Sequence, residues 1–546
     1  MQLPALLRPA PTDPDSIHDR RWWILGVLCF SLLVIGMDNT ILNVALPTIQ
    51  KDLGATSSQL QWIVDSYVIV YASILLTTGS LGDRFGRKGA LSLGLVVFGA
   101  GSVAASFATS ANQLITFRSI AGIGGALIMP ATLSILTNVF RPEERGRAIG
   151  IWAGVSGLGI VAGPLAGGWL LEHFSWGSVF LINVPIVIIA LLGGHRLVPT
   201  SRDPHAPRID LVGTVLGSLG LASLLYGIIE APARGWGDST VLAGFGIGVA
   251  MLVAFVAYEM HSDHPMLEVG FFKNPSFSGA SFAITLVFFA MFGSMYFLTQ
   301  YLQFVLGFST IQAGAALIPL ALALMIGAPN SAKLVKRFGV RNTVALGLGV
   351  VAVALAILSR ATVSSGYPLV GLVLLILGTG MGIAMSPATE SIMGSVPKEK
   401  AGVGSAMNDT TRQVGGALGV AILGSLTAGA YHSSIDSSSV VAGLPAQARA
   451  AIHDSIGGAN LVASKLGSSA KPILTVVNQA FVDAMSSTLL VAAGVAVVGA
   501  IVAYAVLPAR LKVVESDGTL DDDEFQAEAD GLFADEVPGL AISAGD

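Results

Sequence analysis

Fourteen long apolar stretches interrupt this 546-residue chain, and nothing else constrains its fold as strongly. They run over 22–47, 59–81, 89–108, 112–136, 146–170, 177–196, 209–230, 240–259, 279–304, 310–332, 342–360, 367–392, 404–428 and 482–507, numbered below as spans 1 to 14. Most reach the ~20 apolar residues with which a helix crosses the ~30 Å hydrocarbon core of a bilayer. Helices in a soluble core keep a polar outer face, and these have none. With 53% hydrophobic and 12% charged residues, the chain lies outside soluble globular composition. The predicted class is an all-α polytopic membrane protein. Cys29, the only cysteine, falls inside span 1, so no intramolecular disulfide or cysteine metal cluster can form, and no metal or cofactor is expected. Span 1 follows Arg20-Arg21, is too long for a signal-peptide core and lacks a small-residue cleavage site, so it reads as a retained helix.

Charge placement orients these spans. The formal net charge is −5, but the segment after Lys512 carries eleven acids and no Lys or Arg, which leaves 29 basic against 23 acidic residues, or +6, for the remainder. Residues 508–546 are therefore expected to be a solvated acidic tail, with a docking or signalling role as the competing reading. An even number of spans puts both ends on one side. Connections on that side hold 21 basic residues, the opposite connections hold six, and Arg118 and Arg412 fall inside spans. By the positive-inside rule both termini, including residues 1–21, are expected in the cytoplasm of a cell that keeps this protein in its plasma membrane, most simply a bacterium.

The chain also repeats itself. Leu81-Gly82-Asp83-Arg84-Phe85-Gly86-Arg87-Lys88 joins spans 2 and 3, and Leu334-Val335-Lys336-Arg337-Phe338-Gly339-Val340-Arg341 joins spans 10 and 11. Arg-Phe-Gly thus recurs in equivalent turns, which implies a six-helix bundle over 22–196, two inserted helices over 209–260 and a second bundle over 277–507. Paired repeats of this kind suit alternating access, in which two bundles rock around a central site. The second copy has Lys336 where the first has an acid, so the halves are not equivalent. The one long connection on the side opposite the termini, 429–480, holds a helical stretch near Pro445–Ile456 and is either a cap over an outer vestibule or a permissive loop.

Four motifs in register with this topology carry a resemblance. Gly79-Ser80-Leu81-Gly82-Asp83-Arg84-Phe85-Gly86-Arg87-Lys88 resembles the loop motif of the major facilitator superfamily. Gly157 with Gly163-Pro164-Leu165-Ala166-Gly167-Gly168 in span 5 is similar to the motif of its antiporters, and Leu114, Arg118, Gly122 and Gly124 to its span-4 motif. Met37-Asp38-Asn39-Thr40-Ile41-Leu42-Asn43-Val44-Ala45-Leu46-Pro47 resembles the mark of its fourteen-span drug:proton antiporters. Trp62-Ile63-Val64-Asp65 and Phe180-Leu181-Ile182-Asn183-Val184-Pro185 look like the exporters of quaternary ammonium compounds. The resemblance covers the chain apart from the tail. It implies the major facilitator fold and proton-coupled efflux of amphipathic cations. Such exporters tend to carry an acid in span 10, where this chain has Leu324, a departure that puts dications in doubt.

Each motif also has its own physics. Asp83 lies where two helices meet water, so it can face the positive N-terminus of a neighbouring helix while Arg87 pairs across the boundary between halves. Together with Arg84 and Gly86 this reads as a latch on one rocking state, against a plain basic loop. Gly163, Pro164 and Gly167 make a smooth, kinkable surface, either a gating seam or ordinary packing.

Three charged residues, Asp38, Asp65 and Arg118, are expected at similar depth, about 9–14 Å from the outer end of their helices. An ionised acid at such depth costs at least ~2.5 kcal/mol without partners. A carboxyl that is neutral alone and ionised beside a cation can exchange a proton for a cation, so these three are the candidate coupling residues. The competing reading is a structural ion pair of Arg118 with one acid. Asp409 and Arg412, at i and i+3 in span 13, read as a self-satisfied pair, and Glu390 as an acid that snorkels to the interface. Phe289, Phe292 and Tyr296 in span 9, with Trp62 and Tyr67 beside Asp65, could supply cation–π contacts worth ~2 kcal/mol when desolvated, or could simply pack.

His205 and Asp210 have the spacing of some acyltransferase motifs but no companion residues, and no phosphate-cradling loop is present, so neither an enzyme nor an ATP-driven pump is expected. The expected partners are a lipophilic small molecule, protons and the bilayer, without nucleic acid, and a monomer suffices. Export of one endogenous metabolite, lipid or siderophore remains open, as does a sensor or scaffold that signals through the acidic tail.

Overall fold

The computed structural model describes residues 14–55, 57–201, 210–262, 265–466 and 470–509. Residues 1–13 of the N-terminal segment, His205 and the acidic tail from 510 onward lie outside them. The described residues are helical with no strand, as a bilayer demands of backbone that must satisfy its own hydrogen bonds. Helix starts follow local capping chemistry. Ser110 accepts from the Gln113 N–H, Asn274 from Ser276, and Asp210 from Gly213 at 2.7 Å. Asp210 is therefore a helix N-cap.

Among the described residues, twelve helices are long and apolar enough to cross a membrane, and a bent pair, 59–85 with a 50° break near Ile74, makes a thirteenth. One of the twelve, Ile311–Leu358, has 48 residues, far more than the ~20 that one crossing needs. Its backbone leaves helical geometry at Gly339, with φ 79°. Before that point the chain runs parallel to span 12, since Leu320 lies against Gly378 and Ala328 against Gly382. Beyond it the direction reverses, with Gly347 against Ala384 and Val351 against Gly380. The element is thus two antiparallel crossings, spans 10 and 11, and the count is consistent with fourteen.

Packing reproduces the repeat. Span 1 contacts spans 5 and 6, span 3 contacts 4 and 6, and eight helices later span 9 contacts 13 and 14 while span 11 contacts 12 and 14. The bundles meet along two seams, span 5 with span 10 and span 2 with span 13. Span 7 (Leu211–Arg234) pairs with span 8 (Ser239–Glu259) and lies against spans 2 and 13. The long connection is shorter than the hydropathy profile implies. Span 13 continues to Asp436, three short helices follow, of which Ala446–Asp454 matches the expected one, and span 14 starts at Lys471.

The two Arg-Phe-Gly turns are alike in detail. Gly86 and Gly339 both have positive φ, 107° and 79°. The next residue then donates its N–H to the chain just past the sixth helix of its own bundle: Arg87 to the Ser201 carbonyl at 3.0 Å, Val340 to the Ala509 carbonyl at 3.1 Å. An L side chain in left-handed geometry costs about 1–2 kcal/mol, so Gly86→Ala should lower stability by that much. Gly339→Ala should cost more. A Cβ there would also press on the Ala509 carbonyl, whereas the nearest atom to a Gly86 Cβ is 3.8 Å away. Thermal unfolding of the purified protein in detergent checks the ranking, and equal losses would refute it.

Candidate functional site

Span 4 has glycines where spans 2 and 3 press close, and this close packing keeps Arg118 inside the first bundle. A Cβ on Gly122 would meet the Tyr67 carbonyl at 2.8 Å, and one on Gly124 the Phe98 Cα at 2.7 Å. Arg118 is 2% exposed and its Nη1 is ion-paired with Asp38 Oδ2, while Nε donates to the Ile63 carbonyl at 3.3 Å. Asp38 is fully buried. Its second oxygen accepts from Asn183 Nδ2 at 2.9 Å, and Asn183 also reaches Ser102 Oγ at 3.3 Å. The guanidinium lies over the Tyr67 ring, 4.4 Å from its centroid. Spans 1, 2, 3, 4 and 6 thus converge on one buried carboxylate.

A cavity of about 400 Å³ lies between the bundles. Tyr67 lines it, and so does Asp65, but Asp38 does not. Asp65 is half-buried, accepts a hydrogen bond from the Gln61 side chain and feels the charge of Glu230 on span 7. The three residues expected to act together are therefore divided. Arg118 and Asp38 form a closed pair against Tyr67, away from the cavity lining, and Asp65 lines the cavity.

The second bundle contributes Asp409 and Arg412 to the same cavity. They are not the self-satisfied pair expected from their spacing. Their closest approach is 3.9 Å, and Asp409 Oδ2 and Arg412 Nε are buried without a hydrogen-bond partner among the described residues. The guanidinium is instead held between the rings of Trp152 at 5.0 Å and Phe288 at 5.3 Å, with Thr389 Oγ1 3.2 Å from Nη2. Aromatic flanks keep the side chain off its i−3 neighbour. Glu390 also departs from expectation. It does not snorkel but lies in the seam between bundles, where a Cβ on Gly146 would be 2.6 Å from its Oε2 and the charge of Arg145 acts on it.

Of the aromatic candidates, Tyr67 and Phe292 line the cavity. Trp62, Phe289 and Tyr296 do not. Trp62 stacks on Tyr226 of span 7, with centroids 6.1 Å apart, and Phe289 packs against Gly419 of span 13. Tyr296 is 48% exposed on the surface. Span 9 presents Phe288, Met291 and Phe292 instead, a face rotated by one residue from the expected one. Tyr71, Met381, Met385 and Gln413 complete much of the wall, and sequence reasoning did not single them out. Tyr71 repeats Tyr67 at i+4, which is a legible signal, and the two rings stack 5.8 Å apart. Asn183 was visible as a lone amide in an apolar span.

Away from the cavity, Asp83 sits on the N-terminus of the span-13 helix Ala401–Asp436. Its carboxylate accepts from Gly402 N at 2.9 and 2.8 Å and from Val403 N at 3.2 Å. Arg87 Nε donates to Asp83 at 2.8 Å and its Nη2 to the carbonyls of Lys398 and Glu399 at 2.7 and 2.8 Å. Gly86 makes the turn that delivers Arg87, and Arg84 points away, its guanidinium 5.4 Å from the Phe85 ring centroid. Span 5 (Pro142–His173) has two close-packed faces. Gly159, Gly163 and Gly167 press on span 1 at Gly36–Ile41, beside Asp38. Gly150, Gly154 and Pro164 meet Pro329, Met325 and Gly314 of the second bundle.

Comparison with known proteins agrees with this architecture. The Major Facilitator Superfamily model matches residues 28–420. The multidrug efflux pump LfrA of Mycolicibacterium smegmatis is 37% identical over 87% of this chain and 94% of its own length. The tetracenomycin C resistance and export protein of Streptomyces glaucescens is 34% identical over 90% and 93%. The methyl viologen resistance protein SmvA of Salmonella typhimurium is 34% identical over 82% and 90%. Among solved structures, the human organic anion transporter MFSD10 superposes with a TM-score of 0.59 at 14% identity, covering 88% of this chain and 99% of that one. The proton:xylose symporter XylE gives 0.58 at 13% identity, covering 91% and 98%.

Proposed function

The chain belongs to the major facilitator superfamily, and on that premise we propose that it exports amphipathic, mainly cationic drugs across the plasma membrane in exchange for protons. The observation that carries this reading is the cavity between the bundles, where Asp65 and Asp409 stand among Tyr67, Tyr71, Phe292 and a set of methionines. An apolar and aromatic wall with few charges suits lipophilic cargo, methionine adapts to varied shapes, and aromatic faces attract cations. The export and resistance names of the relatives point the same way.

In this reading cargo settles against Asp65 while Asp38 holds Arg118. A proton that enters from outside neutralises Asp38 or Asp65. At Asp38 it frees Arg118, and because that guanidinium lies on Tyr67, the cavity wall responds to the proton. Exchange of one elementary charge against ~100 mV supplies ~2.3 kcal/mol, before any pH gradient. The basic-residue asymmetry supports a cytoplasmic position for both termini and for the Asp83 contact, which in this reading latches the bundles together there. Gly163, Pro164 and Gly167 serve as the seam that seals against proton leak while span 5 slides. The single-compound name of the tetracenomycin C relative favours a second, narrower reading, export of one natural product.

Everted vesicles test the primary reading. Ethidium uptake driven by an inward-acid proton gradient should appear, should collapse with a protonophore, and should fall more than about tenfold in Asp65→Asn, the equivalent of losing one charge contact in the cavity. Uptake that survives the protonophore would overturn proton coupling, and activity confined to one compound would favour the narrower reading. Deletion of residues 515–546 should leave transport intact, whereas a sensor that signals through the tail would lose its function.

A further inference from the structure

We propose that the inserted helix pair carries a proton-binding site of its own: Asp210 and Glu259 hold one proton between them and clasp the paired ends of spans 7 and 8. The site does not depend on the efflux reading, and only its reach to the bundles rests on the Asp83 contact acting as a latch.

Asp210 precedes span 7 and Glu259 closes span 8, so the pairing of these helices brings the two acids together. Asp210 Oδ1 accepts from the Gly213 N–H at 2.7 Å, and Glu259 Oε2 from the Leu267 N–H at 3.3 Å. The remaining oxygens, Asp210 Oδ2 and Glu259 Oε1, are buried and meet no hydrogen-bond donor among the described residues. Both stand 2.5 Å from the point that a Cβ on Gly213 would occupy, so the bare Cα of Gly213 lets them face each other. The two side chains are within hydrogen-bond reach of one another. Glu259 is 3% exposed, and the neighbouring Met266 and Leu267 are buried as well.

A carboxylate can only accept. Two ionised acids here would set unpaired lone pairs and like charges face to face in a nearly dry place. One shared proton removes both faults, because one carboxyl then donates to the other. No cation does so, since neither acid is ion-paired among the described residues. The other ionisable groups around the pair are neutral, engaged elsewhere or acidic themselves. The Tyr258 hydroxyl hydrogen-bonds to the Asp210 and Ser262 side chains, His261 Nδ1 lies 2.8 Å from the Ala257 carbonyl, and Glu268 is paired with Lys400. A metal ion needs more donors, and no group of three ligating acids, histidines or cysteines forms among the described residues.

The pair is linked to the bundle boundary by the segment that follows span 8. Glu259 holds the Leu267 N–H, and the next residue, Glu268, pairs with Lys400. Lys400 in turn stands between the carbonyls that accept from Arg87 and the Gly402 N–H that donates to Asp83. With the proton in place this segment is held and braces the Asp83 contact. As pH rises and the proton leaves, two adjacent anions repel and the brace slackens. The folded pair favours the protonated form, so the clasp is whole at low pH and is lost as pH rises. Titration of Asp83 itself acts in the opposite sense, because its carboxylate must be charged to hold a helix N-terminus.

The full-length protein in lipid nanodiscs provides the test. The infrared difference spectrum of wild type minus Glu259→Gln should contain one protonated-carboxyl band near neutral pH that vanishes at alkaline pH. Absence of that band overturns the inference, and so does a band that changes with a chelator, which would put a metal ion in the place of the proton. Spin labels at the exposed Phe85 and Phe338 read the Asp83 contact. From about pH 5 to about pH 9 the ratio of open to latched molecules should rise about tenfold more in wild type than in Glu259→Gln or Asp210→Asn, equivalent to one pKa unit of coupling. Either amide donates permanently to the remaining carboxylate, and Asn keeps the N-cap of span 7. Equal pH profiles in wild type and both variants would overturn the link to the bundles. A distance unchanged in Asp83→Ala while the infrared band persists would instead sink the latch reading and leave the proton site standing.

Discussion

Asp38→Ala is expected to abolish drug-driven proton movement and to lower stability by about 3–5 kcal/mol, because one partner of a buried ion pair is removed. Arg118 would keep the Ile63 carbonyl and the Tyr67 ring, but neither carries a full negative charge. Asn183 would lose its acceptor as well. Asp38→Asn keeps the shape and should cost less stability while removing proton exchange just as fully. The double variant Asp38→Ala with Arg118→Leu separates the two roles: stability should largely return, since no charge is left buried, and transport should not. The checks are thermal unfolding in detergent and proton movement in everted vesicles on addition of drug. Full proton movement in Asp38→Asn would remove Asp38 from the coupling scheme and leave it a structural ion pair.

Asp83→Ala is expected to produce the largest conformational change. Its carboxylate caps two backbone N–H groups of the second bundle and orients Arg87, whose other contacts also cross the boundary. Charged hydrogen bonds of this kind are worth about 1.5–3 kcal/mol each, and loss of even one shifts a two-state equilibrium by roughly 10- to 100-fold. The population should move toward the state open at the Asp83 end. Spin labels at Phe85 and Phe338, exposed and equivalent in the two repeats, would report it as a longer separation. Cys29 is the only native thiol, so one substitution gives the background for labelling. An unchanged distance distribution in Asp83→Ala would mean that the contact is a cap and not a latch. Asp83→Asn should fall between the two, because an amide oxygen still accepts from Gly402 but lacks the charge that a helix N-terminus favours.

The Asp83 contact and the cavity differ in how far they could be read from residues alone. Asp83 lies at a helix end, where the unpaired N–H groups of any neighbouring helix attract a carboxylate, so its type of partner follows from local chemistry. The cavity-facing side of span 9 does not follow in that way. Its helix is apolar on every side, so hydrophobic periodicity carries no information on orientation, and a rotation by one residue exchanges Phe289 for Phe288. The same ambiguity made Tyr296 a candidate, although it stands at the surface, and proximity to Asp65 in sequence made Trp62 one, although it packs on span 7. Asp409 and Arg412 show a further limit. Spacing of i and i+3 permits a pair, but Trp152 and Phe288 come from other helices and hold the guanidinium elsewhere.

Sequence by itself determined the solvent, the internal repeat and the few charged residues worth attention, and gave a count of crossings with which the structure is consistent. Each of these follows from segment hydropathy, charge count or local turn chemistry, which act over a handful of neighbours. Only the tertiary structure decided that Arg118 belongs to Asp38 and not to Asp65, that Asp65 faces the cavity, and that an inserted helix lines that cavity through Ile229 and Pro232. Those outcomes depend on how helices from distant parts of the chain rotate and press together. In a membrane that choice is made by close packing and by the pairing of buried charge, both of which need every neighbour in place.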